Sequence, residues 1–122
     1  MKNKPLVSLL MITKNAEDFL FYALKSTYNF VDQIIIADDM STDSTIDIIK
    51  SFPEKKITLI RENFNRDKQR QRNTCLALAK GIWCLVQDDD EVYASNQLEW
   101  LRKFIQSNDA VKYNEIFFKM LW

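Results

Sequence analysis

The chain is nearly devoid of glycine and contains no histidine. Of its 122 residues, only Gly81 is a glycine. A glycine-rich phosphate loop, whether of the dinucleotide-binding or the P-loop type, is therefore absent, because both require several glycines at fixed spacing. The lack of histidine excludes catalytic triads and metal sites that depend on an imidazole. A nucleotide bound by this chain would have to be held in another way.

The chain also has few cysteines, no net charge and no long apolar run. Cys75 and Cys84 have neither the spacing of a metal site nor that of a disulfide framework, and we expect both to be reduced core residues of a cytoplasmic protein. The 17 basic and 17 acidic residues cancel, so the charge indicates no nucleic-acid partner. No apolar run approaches the roughly 20 residues of a membrane-spanning helix, so we expect no transmembrane segment.

Short apolar runs alternate with amphipathic segments along the chain. The apolar runs predict strands at four places, near residues 6–12, 33–38, 56–60 and 82–87. Helical spacing of apolar residues predicts helices over 16–29, 44–51 and 67–80 and from residue 95 or 96 onward. A hydrophobic content of 47% is enough for one packed core. The pattern therefore predicts a single α/β domain with a mainly parallel sheet.

Several residues have the chemistry of helix ends. Asn15 is expected to cap the first helix, Gly81 to follow the third as a C′ glycine, and Ser95 or Asn96 to cap the fourth. The tail from residue 110 alternates in part like a strand. Its last residues, 116–122, are too apolar for an exposed terminus, so we expect them to pack on the core or on another copy of the chain, as a homo-oligomer.

Charged and amide side chains follow every predicted strand. They are Lys14-Asn15, Asp38-Asp39, Arg61-Glu62-Asn63 and Asp88-Asp89-Asp90-Glu91. Right-handed crossovers place the carboxyl ends of parallel strands at one edge of the sheet, where ligands of open α/β sheets bind. Carboxylate oxygens suit Mg²⁺ or Mn²⁺, and these ions usually also hold substrate phosphates. The alternative is a set of solvated acidic turns without a ligand.

Together these segments resemble the glycosyltransferases of family 2, which have the GT-A fold, and especially the branch that builds lipopolysaccharide core and similar glycans. The resemblance runs from about residue 6 to residue 106 and rests on segments 7–15, 35–45, 71–73 and 79–91. It implies an α/β/α sandwich resembling half of a Rossmann fold, with strand order 3-2-1-4. It also implies that the single domain, residues 1–122, lacks the acceptor-binding C-terminal half of the family.

The resemblance assigns roles to individual residues. The residues it places at a nucleotide are Thr13, Asn15, Asp38, Asp39, Arg72, Asn73 and Asp88. Asp88 and Asp90 match the outer residues of the DXD motif, which holds Mg²⁺ or Mn²⁺ on the diphosphate. A nucleotide-sugar, most simply a UDP-sugar, would be the donor, and a glycan or lipid-linked molecule the acceptor. From the residues alone, segment 13–15 is equally suited to capping a helix.

The chain also departs from the family pattern. Met40 stands where a glycine or another small residue is usual, Asp89 where a small residue is common, and Gln87 where an apolar residue is expected. No residue can be assigned as the catalytic base. Two other functions therefore stay open. One is a non-catalytic or incomplete nucleotide-binding domain, and the other is a nucleotidyltransferase, although the latter would normally carry a glycine-rich loop.

Overall fold

Four parallel strands form the centre of the computed structural model, which describes residues 5–116. The strands are β1 (Val7–Thr13), β2 (Gln33–Asp38), β3 (Ile57–Arg61) and β4 (Trp83–Val86). They lie in the order β3-β2-β1-β4, and every neighbouring pair is parallel. The predicted sheet and strand order are confirmed, and each predicted strand boundary lies within one residue of the observed one.

Helices cover the two faces of this sheet unequally. They are α1 (Leu20–Thr27), α2 (Thr45–Lys50), α3 (Lys68–Leu78) and α4 (Ser95–Ile105). On one face α1, α2 and α4 enclose the larger core with the inward side chains of β1 and β2. On the other face α3 packs over β1 and β2 around a smaller core that includes Phe64 and Cys75. The α/β/α arrangement is thus as predicted.

The smaller layer leaves the edge strand β4 partly open. Val86 is 52% exposed, and Cys84, two residues earlier on the same face, is also exposed. The prediction that both cysteines are core residues is therefore wrong for Cys84 and right for Cys75, which is fully buried. The reason is positional, since α3 covers the central strands and a strand at the edge of the sheet receives less cover.

Three predictions about helix ends are wrong. Asn15 does not cap α1, which begins only at Leu20. Gly81 has no positive φ and is not a C′ glycine; instead a Cβ there would lie 2.6 Å from the backbone nitrogen of Ser8, so close packing against β1 requires glycine. At α4 the backbone nitrogen of Ala94 donates to Oε1 of Gln97, and neither Ser95 nor Asn96 is the cap.

The C-terminal tail contains no strand within the described residues 5–116. Residues Asn108–Lys112 form a short 3₁₀ helix instead, in which backbone hydrogen bonding overrides the alternating pattern. Of the apolar segment 116–122, Ile116 is partly buried against the larger core. Residues 117–122 lie outside the described residues, so their packing on the core or on a second copy stays a prediction. Over the described part of the chain, no helix is long and apolar enough to cross a membrane.

Candidate functional site

The carboxyl ends of all four strands meet at one edge of the sheet. Thr13, Asp38 and Arg61 lie opposite one another in adjacent strands. The turn that follows β4 reaches the same edge, where Oγ1 of Thr13 donates to Oδ2 of Asp89 at 2.9 Å. The predicted convergence of polar side chains is confirmed, and it arises because all four strands are parallel and end at the same edge.

Asp38 is fully buried at this edge. Its carboxylate accepts hydrogen bonds from the backbone nitrogen of Ser41, at 2.9 Å, and from the hydroxyl of Ser41. Nε of Arg61 lies 3.6 Å from Oδ2 of Asp38, and Nη2 of Arg61 donates to the carbonyl of Ser41. Asp38 therefore shapes the loop after β2 and is neutralised by the residue that ends β3.

Asp39 is 2% exposed and holds a second loop. It accepts hydrogen bonds from the backbone nitrogens of Phe64, at 2.8 Å, and Arg66, at 2.9 Å. Asn65 and Arg66 have φ values of 53° and 61°, and this left-handed pair aims the backbone nitrogens at the carboxylate. Burial alone would raise the pKa of Asp39, but these bonds and Nζ of Lys14, 3.8 Å away, outweigh it and lower the pKa.

The acidic turn after β4 is more exposed. Asp89 is half-buried, and burial, together with the neighbouring charges of Asp90 and Asp88, raises the pKa of Asp89 despite the hydrogen bond from Thr13. Asp88 is 56% exposed, and Asp90 has no hydrogen bond or ion pair within residues 5–116. Two carboxylates of this turn are thus accessible to a ligand.

Helix α3 brings basic and amide groups to the same turn. Nη2 of Arg72 lies 3.5 Å from Oδ1 of Asp88. Arg72, Asn73 and Asp88 also line a cavity of about 160 Å³ between α3 and β4. The structure therefore brings Arg72 and Asn73 to the acidic turn.

Asn15 connects the loop after β1 to the loop after β2. Its Oδ1 accepts from the backbone nitrogen of Thr42 at 2.8 Å, and its own backbone nitrogen donates to the hydroxyl of Ser41 at 2.8 Å. Asn15 has a φ of 50° and Met40 a φ of 52°. Met40 thus adopts the left-handed conformation that glycine takes without strain.

The carboxylates of the acidic turn fit one mode of divalent-metal binding. Among residues 5–116 there is no group of three or more acidic or cysteine side chains that could enclose an ion. Asp88 and Asp90 offer two accessible carboxylates, and Mg²⁺ is commonly held by one or two carboxylates together with substrate phosphates and water. The residues therefore fit an ion that arrives with a diphosphate, and they do not fit a cage made by protein alone.

Two buried glutamines were missed by the sequence analysis as parts of the site. Nε2 of Gln71 donates to the carbonyls of Thr13, at 3.2 Å, and Ala37, at 2.8 Å, and so ties α3 to the ends of β1 and β2. Gln87 contacts α1 and the acidic turn. Gln87 gave one signal in the sequence, a polar residue directly after an apolar run, whereas Gln71 lies in the polar stretch 67–73 and gave none.

Comparison with known proteins agrees with this geometry. The sequence model of "Glycosyl transferase family 2" matches residues 8–117, which is most of the chain. This chain belongs to glycosyltransferase family 2. The fold and the family that the sequence suggested are therefore confirmed.

The relatives of this family 2 chain include two Escherichia coli proteins, WfaP and WfgD, each named a UDP-Glc:alpha-D-GlcNAc-diphosphoundecaprenol beta-1,3-glucosyltransferase. WfaP is 34% identical over 79% of this chain and 41% of its own length. WfgD is 31% identical over 77% of this chain and 38% of its own length. The chain thus spans less than half the length of these relatives.

Solved structures show the same fold. Residues 1–349 of TarS from S. aureus, in complex with UDP, match with a TM-score of 0.74 and 25% identity over 83% of this chain and 32% of that one. TarS without the ligand matches with a TM-score of 0.73. The chain therefore has the GT-A fold, as the sequence resemblance implied.

Proposed function

We propose that this family 2 chain is the donor-binding part of a glycosyltransferase that uses a UDP-sugar, with Mg²⁺ or Mn²⁺ on the diphosphate. The observation that carries the proposal is the meeting of two unlike acidic groups at one edge. Asp38 and Asp39 are buried after β2, whereas Asp88 and Asp90 are exposed after β4. The UDP complex of TarS and the names of the E. coli relatives support a UDP-linked donor.

In this proposal the loops held by Asp38 and Asp39 receive the nucleoside. Asp39 is 2% exposed and accepts hydrogen bonds from the backbone nitrogens of Phe64 and Arg66, so it is proposed to act on the nucleoside through the loop that it holds. Thr13 and Asn15 are proposed to shape this part of the site through their bonds to Asp89 and to the loop after β2.

The acidic turn and α3 are proposed to face the diphosphate. Asp88 and Asp90 would hold the cation, which supplies stabilisation of the negative charge that develops on the departing diphosphate. Arg72 lies beside Asp88 and, with Asn73, would contact the phosphate oxygens from the helix side. Such a site replaces the missing glycine-rich loop with a cation and two side chains.

The acceptor is proposed to be a glycan or a lipid-linked glycan. This proposal rests on the relatives whose names specify a diphosphoundecaprenol acceptor, and it concerns the whole protein. The cytoplasmic location expected from the cysteines is consistent with a nucleotide-linked donor and stays a prediction.

Titration calorimetry of UDP with and without Mn²⁺ tests the donor site. We expect Mn²⁺ to tighten UDP binding, and Asp90→Ala to lose about 1–3 kcal/mol of the metal-dependent part, because one charged ligand is removed. Glu54→Ala is the matched control, since Glu54 is an exposed acid just before β3, at the opposite edge of the sheet.

Two results would overturn the proposal. One is a parent protein that binds no UDP in the presence of Mn²⁺. The other is an Asp90→Ala variant that binds UDP and Mn²⁺ as tightly as Glu54→Ala does. A UDP-glucose hydrolysis assay on the same samples separates a catalytic domain from one that only binds.

A further inference from the structure

Gln87 is a buried amide at the junction of β4 and the acidic turn. It is 1% exposed and follows the apolar residues of β4 directly. Its backbone nitrogen donates to the carbonyl of Leu10 at 3.2 Å, so the residue continues the line of β4 beside β1. A side chain in this place needs hydrogen-bond partners, because an unpaired amide in a core costs stability.

The side chain of Gln87 bonds to helix α1 on one side. Its Oε1 accepts from Oγ1 of Thr27 at 2.8 Å, and its Nε2 donates to the carbonyl of Ala23 at 3.0 Å. Thr27 is itself fully buried. Both partners lie in the last turns of α1, which packs in the larger core and provides a rigid support.

On the other side, Gln87 bonds to the far end of the acidic turn. Its Nε2 donates to the carbonyl of Glu91 at 2.7 Å. The turn is also closed on itself, because the backbone nitrogen of Glu91 donates to the carbonyl of Asp88 and the backbone nitrogen of Asp88 donates to Oε1 of Glu91. One buried side chain therefore links α1 to the two ends of the turn that presents Asp88 and Asp90.

The bond from Gln87 to Glu91 opposes the electrostatic repulsion within the acidic turn. Four adjacent carboxyl groups repel one another, and repulsion favours an open and variable loop. A leucine or methionine at position 87 would fill the same space but could not bond to Glu91 or Thr27. The polar residue that departs from the family pattern is therefore the one that fixes the turn.

We propose that Gln87 is a positioning residue that holds Asp88 and Asp90 in the arrangement required by a cation bound to a diphosphate. The inference rests on the proposed function for its ligand. The ordering of the turn by Gln87 is a property of the protein alone, so it can be measured without any ligand.

Amide hydrogen exchange without ligand tests the ordering directly. In Gln87→Met the hydrogen-bonded amides of Asp88 and Glu91 should exchange about tenfold faster than in the parent, because the turn loses the bond from Gln87 to Glu91 and opens more often. Ile49→Val is the control for general loss of core stability, since Ile49 is buried in the same core on α2. Ile49→Val should not change how fast the amides of residues 88–91 exchange relative to the other amides of the chain. Equal exchange in Gln87→Met and the parent would overturn the proposal.

Calorimetry with UDP tests the consequence for binding. The ratio of the Kd values for UDP without and with Mn²⁺ should fall about fivefold or more in Gln87→Met, while the Kd without Mn²⁺ stays within about twofold of the parent. Thr27→Val removes one bond to Gln87 and should show a smaller change in the same direction, which keeps the test valid if Gln87→Met folds poorly.

The outcomes separate this inference from the proposed function. A parent without any Mn²⁺ effect means that the proposed function fails, and the exchange data then decide the role of Gln87 in the turn. A parent with a clear Mn²⁺ effect that is equal in Gln87→Met and Thr27→Val refutes the positioning role while leaving the proposed function intact.

Discussion

The two acidic groups at the edge of the sheet look alike in sequence and differ in every physical respect. Asp38 and Asp39 are buried, and each accepts two hydrogen bonds from its own chain and lies beside a cationic side chain. Asp88 and Asp90 are exposed, and Asp88 has a single ion pair, with Arg72, at 3.5 Å. The first pair organises the backbone, and the second is available to a ligand.

The difference indicates how a chain with one glycine would build the proposed nucleotide site. Where a glycine-rich loop would turn its backbone nitrogens toward a phosphate, here the backbone nitrogens of Phe64, Arg66 and Ser41 point at buried carboxylates. The buried carboxylates thus shape the loops, while the exposed carboxylates are accessible to the proposed cation. The following predictions test this division.

The largest expected effect is on stability. Asp39→Ala should lower the free energy of unfolding by about 3 kcal/mol, because the backbone nitrogens of Phe64 and Arg66 lose their buried acceptor. Asp90→Ala should change it by no more than about 0.5 kcal/mol, toward higher stability, since it relieves repulsion in the turn. Urea unfolding of both variants measures the difference.

Equal losses of stability in the two variants would contradict the division into a structural and an accessible pair. Asp39→Asn provides an internal control. It keeps an oxygen that can accept one of the two backbone bonds, so its loss should lie between those of Asp39→Ala and the parent.

The second prediction concerns pH. The pKa of Asp89 is raised, mainly by burial, so the ionised form costs stability above that pKa, and this cost disappears as the pH falls toward about 4. The pKa values of Asp39 and Asp43 are lowered, because their hydrogen bonds outweigh burial, so the stability they contribute is present above about pH 4 and is lost as the pH falls further. Stability should therefore rise slightly on mild acidification and then drop.

The urea concentration at the midpoint of unfolding, measured across this pH range, shows which carboxyl group causes the rise in stability and which causes the drop. Asp89→Asn should abolish the rise, and Asp43→Asn should make the acid-side drop shallower. A rise that persists unchanged in Asp89→Asn would show that another group, outside the acidic turn, causes it.

The smallest expected effect is at Met40, in the loop between the buried pair and α2. Its φ of 52° costs a residue with a Cβ about 1–2 kcal/mol, and glycine would remove that cost but add flexibility to the unfolded chain. Met40→Gly should therefore raise the free energy of unfolding by about 0.5 kcal/mol. Met40→Ala keeps the Cβ and should give no gain, so equal stabilities of the two variants would contradict the explanation.

The fold could be predicted from the sequence because its signals are local and repeated. Four apolar runs alternate with amphipathic helices, and right-handed crossovers then leave few arrangements. The convergence of Asp38 and Asp89 at one edge follows from that topology without knowledge of any contact. The family resemblance added the strand order, which the alternation alone does not determine.

What could not be predicted depends on contacts between distant residues. Asn15 was expected to cap a helix, yet its side chain bonds to a loop 27 residues further along the chain. Gly81 was expected to be the C′ glycine of α3, yet a glycine is required there by its proximity to Ser8 on the neighbouring strand. Residue type indicated that each position was special, and only the packing of β1 against its neighbours shows why.

The two acidic groups at the edge of the sheet are also synthesised at different times. The partners of Asp38 and Asp39 have all been added once the chain reaches Arg66, whereas Asp89 is added 23 residues later (89 minus 66), about 1–5 s at typical rates of elongation. In that interval β1 has β2 beside it but not yet β4, because residues 83–86, which pair with β1, have not been added. The central strand of the finished sheet is therefore an unprotected edge strand in the nascent chain, with Leu9 and Leu10 beside unpaired backbone groups.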